Sequence, residues 1–433
     1  MSKPESRFLN YIFIGVFIAL ILPYIQSTLN IVKLDPLGGA YQKTEDADFT
    51  VAGWFSGEYQ EQYEKFFNEN FGFRNFFVRL DNQIAYNLFN KAKANEVIIG
   101  KEGYLYEMNY LLAYAGKDFI GEDSIRANMQ RLKFVQDYLQ KENKTVLLVF
   151  APGKGSFYPE YIPDEYLIDK GPRNYDYCLK ACQDIGINLI DFNGYFVSQK
   201  EKSKYLLYPK YGIHWSHYGM CTALDSIVHW LEKTRKVNLV NPTWNEVKIE
   251  EPSNIDSDIA MGMNLLWKPA ADKMAYPELI FKDEKEAVKP SAIVIGDSFY
   301  WDMFNITPRI FNENNHFWYY NKEVFPQKDN KHKMVDDINL RQELNEHDIF
   351  ILMCTEANYS RIGWRFIENT YNLLKNGIEP GIPDFKAKID KTIKYIRSDE
   401  KWMEVIRHKA KKENVSVDSM LMRDAIWLVR SKG

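Results

Sequence analysis

The chain is poor in the features that define several common protein classes. Its 433 residues hold four cysteines, Cys178, Cys182, Cys221 and Cys354. None of their spacings matches a zinc signature, and they read as small buried hydrophobes rather than a disulfide framework. No basic block stands out and the net charge is −4, which argues against a nucleic-acid partner. Long apolar runs are absent beyond the N-terminus. Aromatic side chains, by contrast, are plentiful at 15%, which suits either a heavily packed core or a sugar-handling surface. At 45% hydrophobic, the chain is long enough for a large core and two or three structural units.

The one long apolar run extends from Phe8 to Ile25, interrupted only by Asn10 and Pro23, and follows Lys3 and Arg7. It has about the 20 residues that a bilayer span needs. The basic residues before it favour a cytoplasmic N-terminus. No small-x-small cleavage site follows. The expectation is a single-pass anchor in the inner, cytoplasmic membrane, with a removed signal peptide as the alternative, and everything after Thr28 periplasmic or otherwise extracytoplasmic. The chain then divides into an anchor (1–28), a linker (29–56), an α/β domain (57–376) and a helical segment (377–433) set off by Gly377-Ile-Glu-Pro-Gly-Ile-Pro383.

Within the main domain, Val97 to Tyr106 reads as a hairpin. The helical aromatic stripe Tyr59, Tyr63, Phe66 and Phe67 reads as core. Short apolar strands at 145–150, 187–192, 291–296, 317–320 and 348–354 alternate with amphipathic helices. That alternation predicts a mostly parallel, doubly wound α/β sheet. Residues 234–290 read as an irregular polar insertion packed over it.

The strand Ala292 to Ile295 runs into Gly296-Asp297-Ser298-Phe299. A buried parallel strand would deliver Ser298 to the carboxyl edge of the sheet, where open α/β folds bind ligands. Gly-Asp-Ser also makes an ordinary turn, so the reading depends on finding a base. Of seven histidines, His214 is distinctive, in Tyr211-Gly-Ile-His-Trp-Ser-His217, an aromatic loop that meets a helix start. A His214/His217 metal pair lacks a third ligand nearby, and a purely structural His214 is the other alternative. His316, His332 and His347 lie in polar surroundings. No metal or cofactor is expected.

Gly-Asp-Ser-Phe at 296–299 with His-Trp at 214–215 resembles the signatures of SGNH-type acetyltransferases of the alginate O-acetylation kind (AlgJ and AlgX) and the related DHHW proteins. Phe71-Gly-Phe-Arg74, Val97 to Tyr104, Pro152-Gly-Lys154 and Tyr158 to Pro163 are similar to further elements of that family. The resemblance implies an SGNH-like fold of permuted order, with the histidine loop before the serine strand. It implies an anchored enzyme that moves acetyl groups to polysaccharide hydroxyls, served by a membrane-bound O-acyltransferase. Ser298 and His214 are then catalytic. The Ser298 amide, Gly153, Lys154 and Asp297 would support the oxyanion, and Trp215, Tyr158 and Trp301 would exclude water and contact substrate.

One departure matters. The family places an aspartate two residues before the histidine, and this chain has Gly212. The expected substitutes are Glu356 and Asp191, both at the ends of strands. Two other readings follow from Gly212 and from the shared chemistry: a non-catalytic glycan-binding scaffold, or a glycan O-acetyl esterase.

Overall fold

The structure is a computed structural model that describes residues 3–39, 44–253, 255–282, 286–327, 332–378, 382–413 and 415–431. Its ten strands are β1 (Val97–Ile99), β2 (Leu105–Glu107), β3 (Thr145–Phe150), β4 (Leu189–Asp191), β5 (Asn241–Glu250), β6 (Met274–Lys282), β7 (Ala292–Gly296), β8 (Asn315–Tyr319), β9 (Glu323–Phe325) and β10 (Ile349–Cys354).

Six of them form the central sheet in the order β4-β3-β10-β7-β8-β9. All neighbours run parallel except β9, which pairs antiparallel with β8. Every residue of β3, β7 and β10 is buried, as expected for strands covered by helices on both faces. Their side chains alternate between two cores. Leu147, Val149, Val294 and Ile351 face the helix His217–Arg235, whereas Val146, Leu148, Ile293, Ile295 and Phe350 face the helices Glu122–Lys141 and Leu340–Glu346. Fully burying one such aliphatic side chain is worth about 1.5–3 kcal/mol.

The last of these strands to be made takes the middle of the sheet: β10 lies between β3 and β7. The three segments that leave their carboxyl ends, beginning at Ala151, Asp297 and Thr355, therefore meet at one rim. All four cysteines are free and buried.

Two expectations need correction. The insertion is not wholly irregular, because β5 and β6 form an antiparallel pair with a register shift between Trp244 and Val247. The aromatic stripe of the helix Glu58–Asn70 is not core, since none of that helix is buried. Its rings stack on one another instead, Tyr59 on Tyr63 at 5.8 Å and Tyr63 on Phe67 at 6.5 Å between centroids. Gly296 is the last residue of β7, and a Cβ there would lie 3.2 Å from the Met353 carbonyl of β10.

Among the described residues, one helix is long and apolar enough to cross a membrane, with its apolar stretch at Phe8–Leu29. At the other end, the helices Ile382–Ser398, Glu400–Lys412 and Val417–Ser431 pack around Ile389, Ile396, Ile406, Met420, Leu421 and Ala425 as a separate cluster. Residues 379–381 of the break expected before them lie outside the described residues.

Candidate active site

The β7 strand ends in a tight turn, and Ser298 opens a short 3-10 turn there. The turn is held from below by Asp297. Its Oδ1 accepts the Phe299 amide at 3.2 Å, and its Oδ2 accepts the Thr355 amide at 2.8 Å, the Thr355 hydroxyl at 3.0 Å and the Asn358 side-chain amide at 2.9 Å. Asp297 thus ties the serine turn to the segment after β10. All four of its partners lie inside the protein, so it stabilises the turn rather than touching a reacting group.

His214 arrives from the loop before the helix His217–Arg235. Its Nε2 lies 2.9 Å from Ser298 Oγ. Its Nδ1 lies 2.7 Å from Oδ2 of Asp258. The other oxygen of Asp258 accepts the amides of Ile213 at 2.9 Å and Ile259 at 2.7 Å, so the carboxylate is fixed at both ends. With Asp258 accepting Nδ1–H, the lone pair of Nε2 faces the serine hydroxyl. Burial lowers the basicity of His214. The hydrogen bond and charge of Asp258 outweigh it, Asp302 and Asp297 add to them, and the pKa lies above the ordinary imidazole value. Asp302 itself is pushed up to about 6, chiefly by burial.

Asp258 corrects the expectation for the orienting acid. Glu356 is buried and accepts the Ser156 hydroxyl at 2.6 Å and the Ser156 amide at 3.2 Å, well away from the imidazole. Asp191 caps the helix Phe192–Gln199 through the Gly194 amide at 3.0 Å and accepts the Tyr175 hydroxyl at 2.7 Å. The residue that does reach His214 comes from the polar insertion, at the start of the short helix Asp258–Gly262. Gly212 is what lets it in. A Cβ at Gly212 would lie 2.8 Å from the Ile255 carbonyl oxygen and 2.9 Å from the Asp256 backbone. The chain that brings Asp258 thus passes directly over the position two residues before the histidine where an acid was expected.

Lys154 and Gly153 also differ from expectation. The Lys154 ammonium is fully buried and donates to the carbonyls of Lys210 at 2.8 Å and Gly212 at 2.5 Å. It clamps the loop carrying His214, two residues before the histidine, instead of facing an oxyanion. Burial pulls its pKa down to about 7. The Gly153 amide is already bonded to the Asn193 side chain at 2.8 Å.

Of the expected substrate contacts, Trp215 and Tyr158 are core residues and Trp301 is half-buried against the core. Trp215 is wholly buried between Phe192, Phe196 and Phe299. Tyr158 is buried and donates its hydroxyl to the Tyr208 carbonyl at 2.9 Å. Trp301 packs into Phe304, Phe317, Tyr319 and Phe325. The His217 ring lies 5.7 Å from that of Tyr276.

A cavity of about 470 Å³ opens on Ser298 and His214, and its walls include Glu107, Asn109, Tyr110, Tyr320, Asn358 and Arg361. Sequence reasoning missed all of these. They come from β2 and the helix Met108–Tyr114 that follows it, the residue after β8 and the turn after β10, and no local spacing connects them. Burial and the nearby charge of Asp258 raise the pKa of Glu107.

Residues 97–300 match the family described as SGNH hydrolase-like domain, acetyltransferase AlgX. The probable alginate O-acetylase AlgJ of Pseudomonas syringae pv. tomato is 24% identical over 159 residues, and the match spans 37% of this chain and 37% of that relative. The O-acetyltransferase domain of Pseudomonas putida AlgJ is similar in structure, with 13% identity, a TM-score of 0.40 and coverage of 64% of this chain and 98% of that one. Bacillus cereus PatB1 with a sulfonyl adduct is also similar, with 10% identity, a TM-score of 0.40 and coverage of 64% and 99%. Over residues 97–300 this chain is similar to the AlgX-type acetyltransferases and has an SGNH hydrolase-like α/β fold.

Proposed function

We propose that the chain is an extracytoplasmic O-acetyltransferase that moves acetyl groups onto polysaccharide hydroxyls through an acyl-serine at Ser298. The observation that carries this reading is the unbroken relay Asp258–His214–Ser298, with links of 2.7 and 2.9 Å, on the wall of a cavity. A serine hydroxyl becomes nucleophilic when a positioned base takes its proton.

In the first half-reaction, His214 Nε2 takes the Ser298 proton as Oγ bonds to the acetyl carbonyl carbon. The imidazolium then returns that proton to the departing donor oxygen. In the second, His214 takes the proton of a sugar hydroxyl, whose oxygen attacks the acyl-serine. Collapse of that adduct breaks the bond to Oγ and restores the Ser298 hydroxyl with the proton held by His214. The oxyanion formed in each half is stabilised by the Ser298 amide and by Arg361 on the cavity wall. A membrane-bound O-acyltransferase supplies the acetyl group, and the helix over Phe8–Leu29 holds the enzyme beside it.

Asp258 bears on the rival readings. A binding-only scaffold was suggested by Gly212, and the acid missing there is supplied from the insertion. An esterase needs the same relay, so products must separate the two. With an activated acetyl ester and a glycan acceptor, the transferase reading expects acetylated glycan in excess of free acetate, and neither product above background from Ser298→Ala. Acetate alone, with acceptor present at saturation, would replace transfer by hydrolysis.

A further inference from the structure

A second cluster of chemistry-bearing side chains sits at the opposite end of the sheet. His316 is the second residue of β8 and pairs with Ile293 of β7, three residues before Gly296. That is about 10 Å along the strands from the rim bearing Ser298. On the face it shares with Trp318 packs the helix Leu340–Glu346, through Leu340 and Leu344. This helix brings Glu343, and His347 is its C-terminal cap.

The three side chains converge. Glu343 Oε2 lies 3.5 Å from His316 Nδ1 and 3.5 Å from His347 Nδ1. One donor atom from each residue can be chosen so that all three lie within 4.8 Å of one another. His347 is wholly buried, Glu343 is 9% exposed, and the His347 ring is oriented by a 2.9 Å contact from Nδ1 to the Glu343 carbonyl. Yet His316 Nδ1, Glu343 Oε2 and His347 Nε2 are all buried without a hydrogen-bond partner. A buried polar atom left unpaired costs about 1–3 kcal/mol, so three in one place call for a physical reason.

A separation of 3.5 Å is long for a hydrogen bond between these atoms. For His316 Nδ1 and Glu343 Oε2 it is close to the spacing that a shared ion imposes, while His347, whose Nδ1 is held by the Glu343 carbonyl, offers its unpartnered Nε2. Two ligands at about 2.0–2.1 Å from a tetrahedral zinc stand about 3.3–3.4 Å apart. Two imidazoles and one carboxylate are also a donor set that suits zinc and its first-row neighbours. We propose that His316, Glu343 and His347 bind a divalent first-row transition ion, zinc foremost, which staples β8 to the helix behind it. Its fourth position faces the side on which the His316 side chain keeps 22% exposure and takes a water. The ion is structural, because the serine relay occupies the other end of the strands.

The test uses the full chain in detergent, stripped with chelator, equilibrated with zinc sulfate and desalted. Metal content and the thermal midpoint are then measured. The site predicts one zinc per chain, a midpoint that rises with zinc, and loss of both in His316→Ala and in Glu343→Gln. His316→Ala alters a partly exposed residue, and retention of its far-UV spectrum shows that it folds. Cobalt in place of zinc should give the visible bands of a tetrahedral ion in the wild type, a readout that needs no variant. Absence of bound zinc and of those bands, or zinc retained undiminished by the His316→Ala/Glu343→Gln double variant, would leave only an ion pair and a helix cap.

Discussion

At the scale of single residues, His214 is the most informative. Its basicity is raised above the ordinary imidazole value by Asp258 against the opposing effect of burial. The imidazole must be neutral to take the serine proton, so the rate of Ser298 acylation should fall as pH drops through that raised value. Asp258→Asn removes the main raising cause, so the acid limb should move to lower pH. It should also lower turnover by roughly 10⁴-fold, the loss that an acid-to-amide change causes in serine proteases through the wrong tautomer. A pH–rate profile of ester hydrolysis checks both. An unmoved limb would mean that another group sets the imidazole. Ser298 and His214 were legible because each lies in a distinctive local context, a buried strand end and an aromatic loop. Asp258 was not, since Ser-Asp-Ile-Ala in a polar insertion carries no spacing signal. Its partnership with His214 spans 44 positions and exists only in the fold.

At the scale of elements, the loop 210–214 is held from two sides, by Lys154 beneath and by the insertion above. Lys154→Met would leave the carbonyls of Lys210 and Gly212 without their donor, at about 1–3 kcal/mol for each acceptor left buried and unpaired. The expected result is a fall in kcat larger than any change in KM, because the loop that aims His214 is loosened while the cavity walls remain. Gly212→Asp places an acid two residues before the histidine but should abolish activity rather than raise it, because its Cβ would press on the Ile255 carbonyl oxygen at 2.8 Å. Ester turnover by the purified variant decides this, and a gain would show that the insertion yields easily. The strands were readable from their apolar runs. The hairpin β5–β6 was not, because Asn241–Glu250 is largely exposed and lacks a buried stripe. The exposed aromatic ladder was misread for the converse reason. Periodicity marks which residues share a face but not whether that face is covered.

At the scale of the whole molecule, two fully buried titratable groups with opposite slopes should shape stability. Glu356 is pushed up to about 7 by burial, only partly offset by Ser156 and Arg173. Between its unfolded value near 4.5 and pH 7, the folded state binds a proton that the unfolded state lacks, so its contribution falls as pH rises. Lys154 is pulled down to about 7 from 10.5. Between those values the unfolded state binds the extra proton, and the contribution rises with pH. Denaturant unfolding across pH should therefore show a falling slope that Glu356→Gln flattens and a rising one that Lys154→Met flattens. The sheet order, with β10 between β3 and β7, brings Ser298 and the Asn358–Arg361 wall to one rim. No composition or periodicity encodes that adjacency.

The relay itself can be tested most directly by trapping. The protein is incubated with an activated acetyl ester, quenched in acid, digested and mapped by mass spectrometry. The account predicts one acetyl group on the peptide containing Ser298, formed far more slowly in His214→Ala and absent from Ser298→Ala. Acetylation that spares Ser298, or that is as fast without His214, would contradict it.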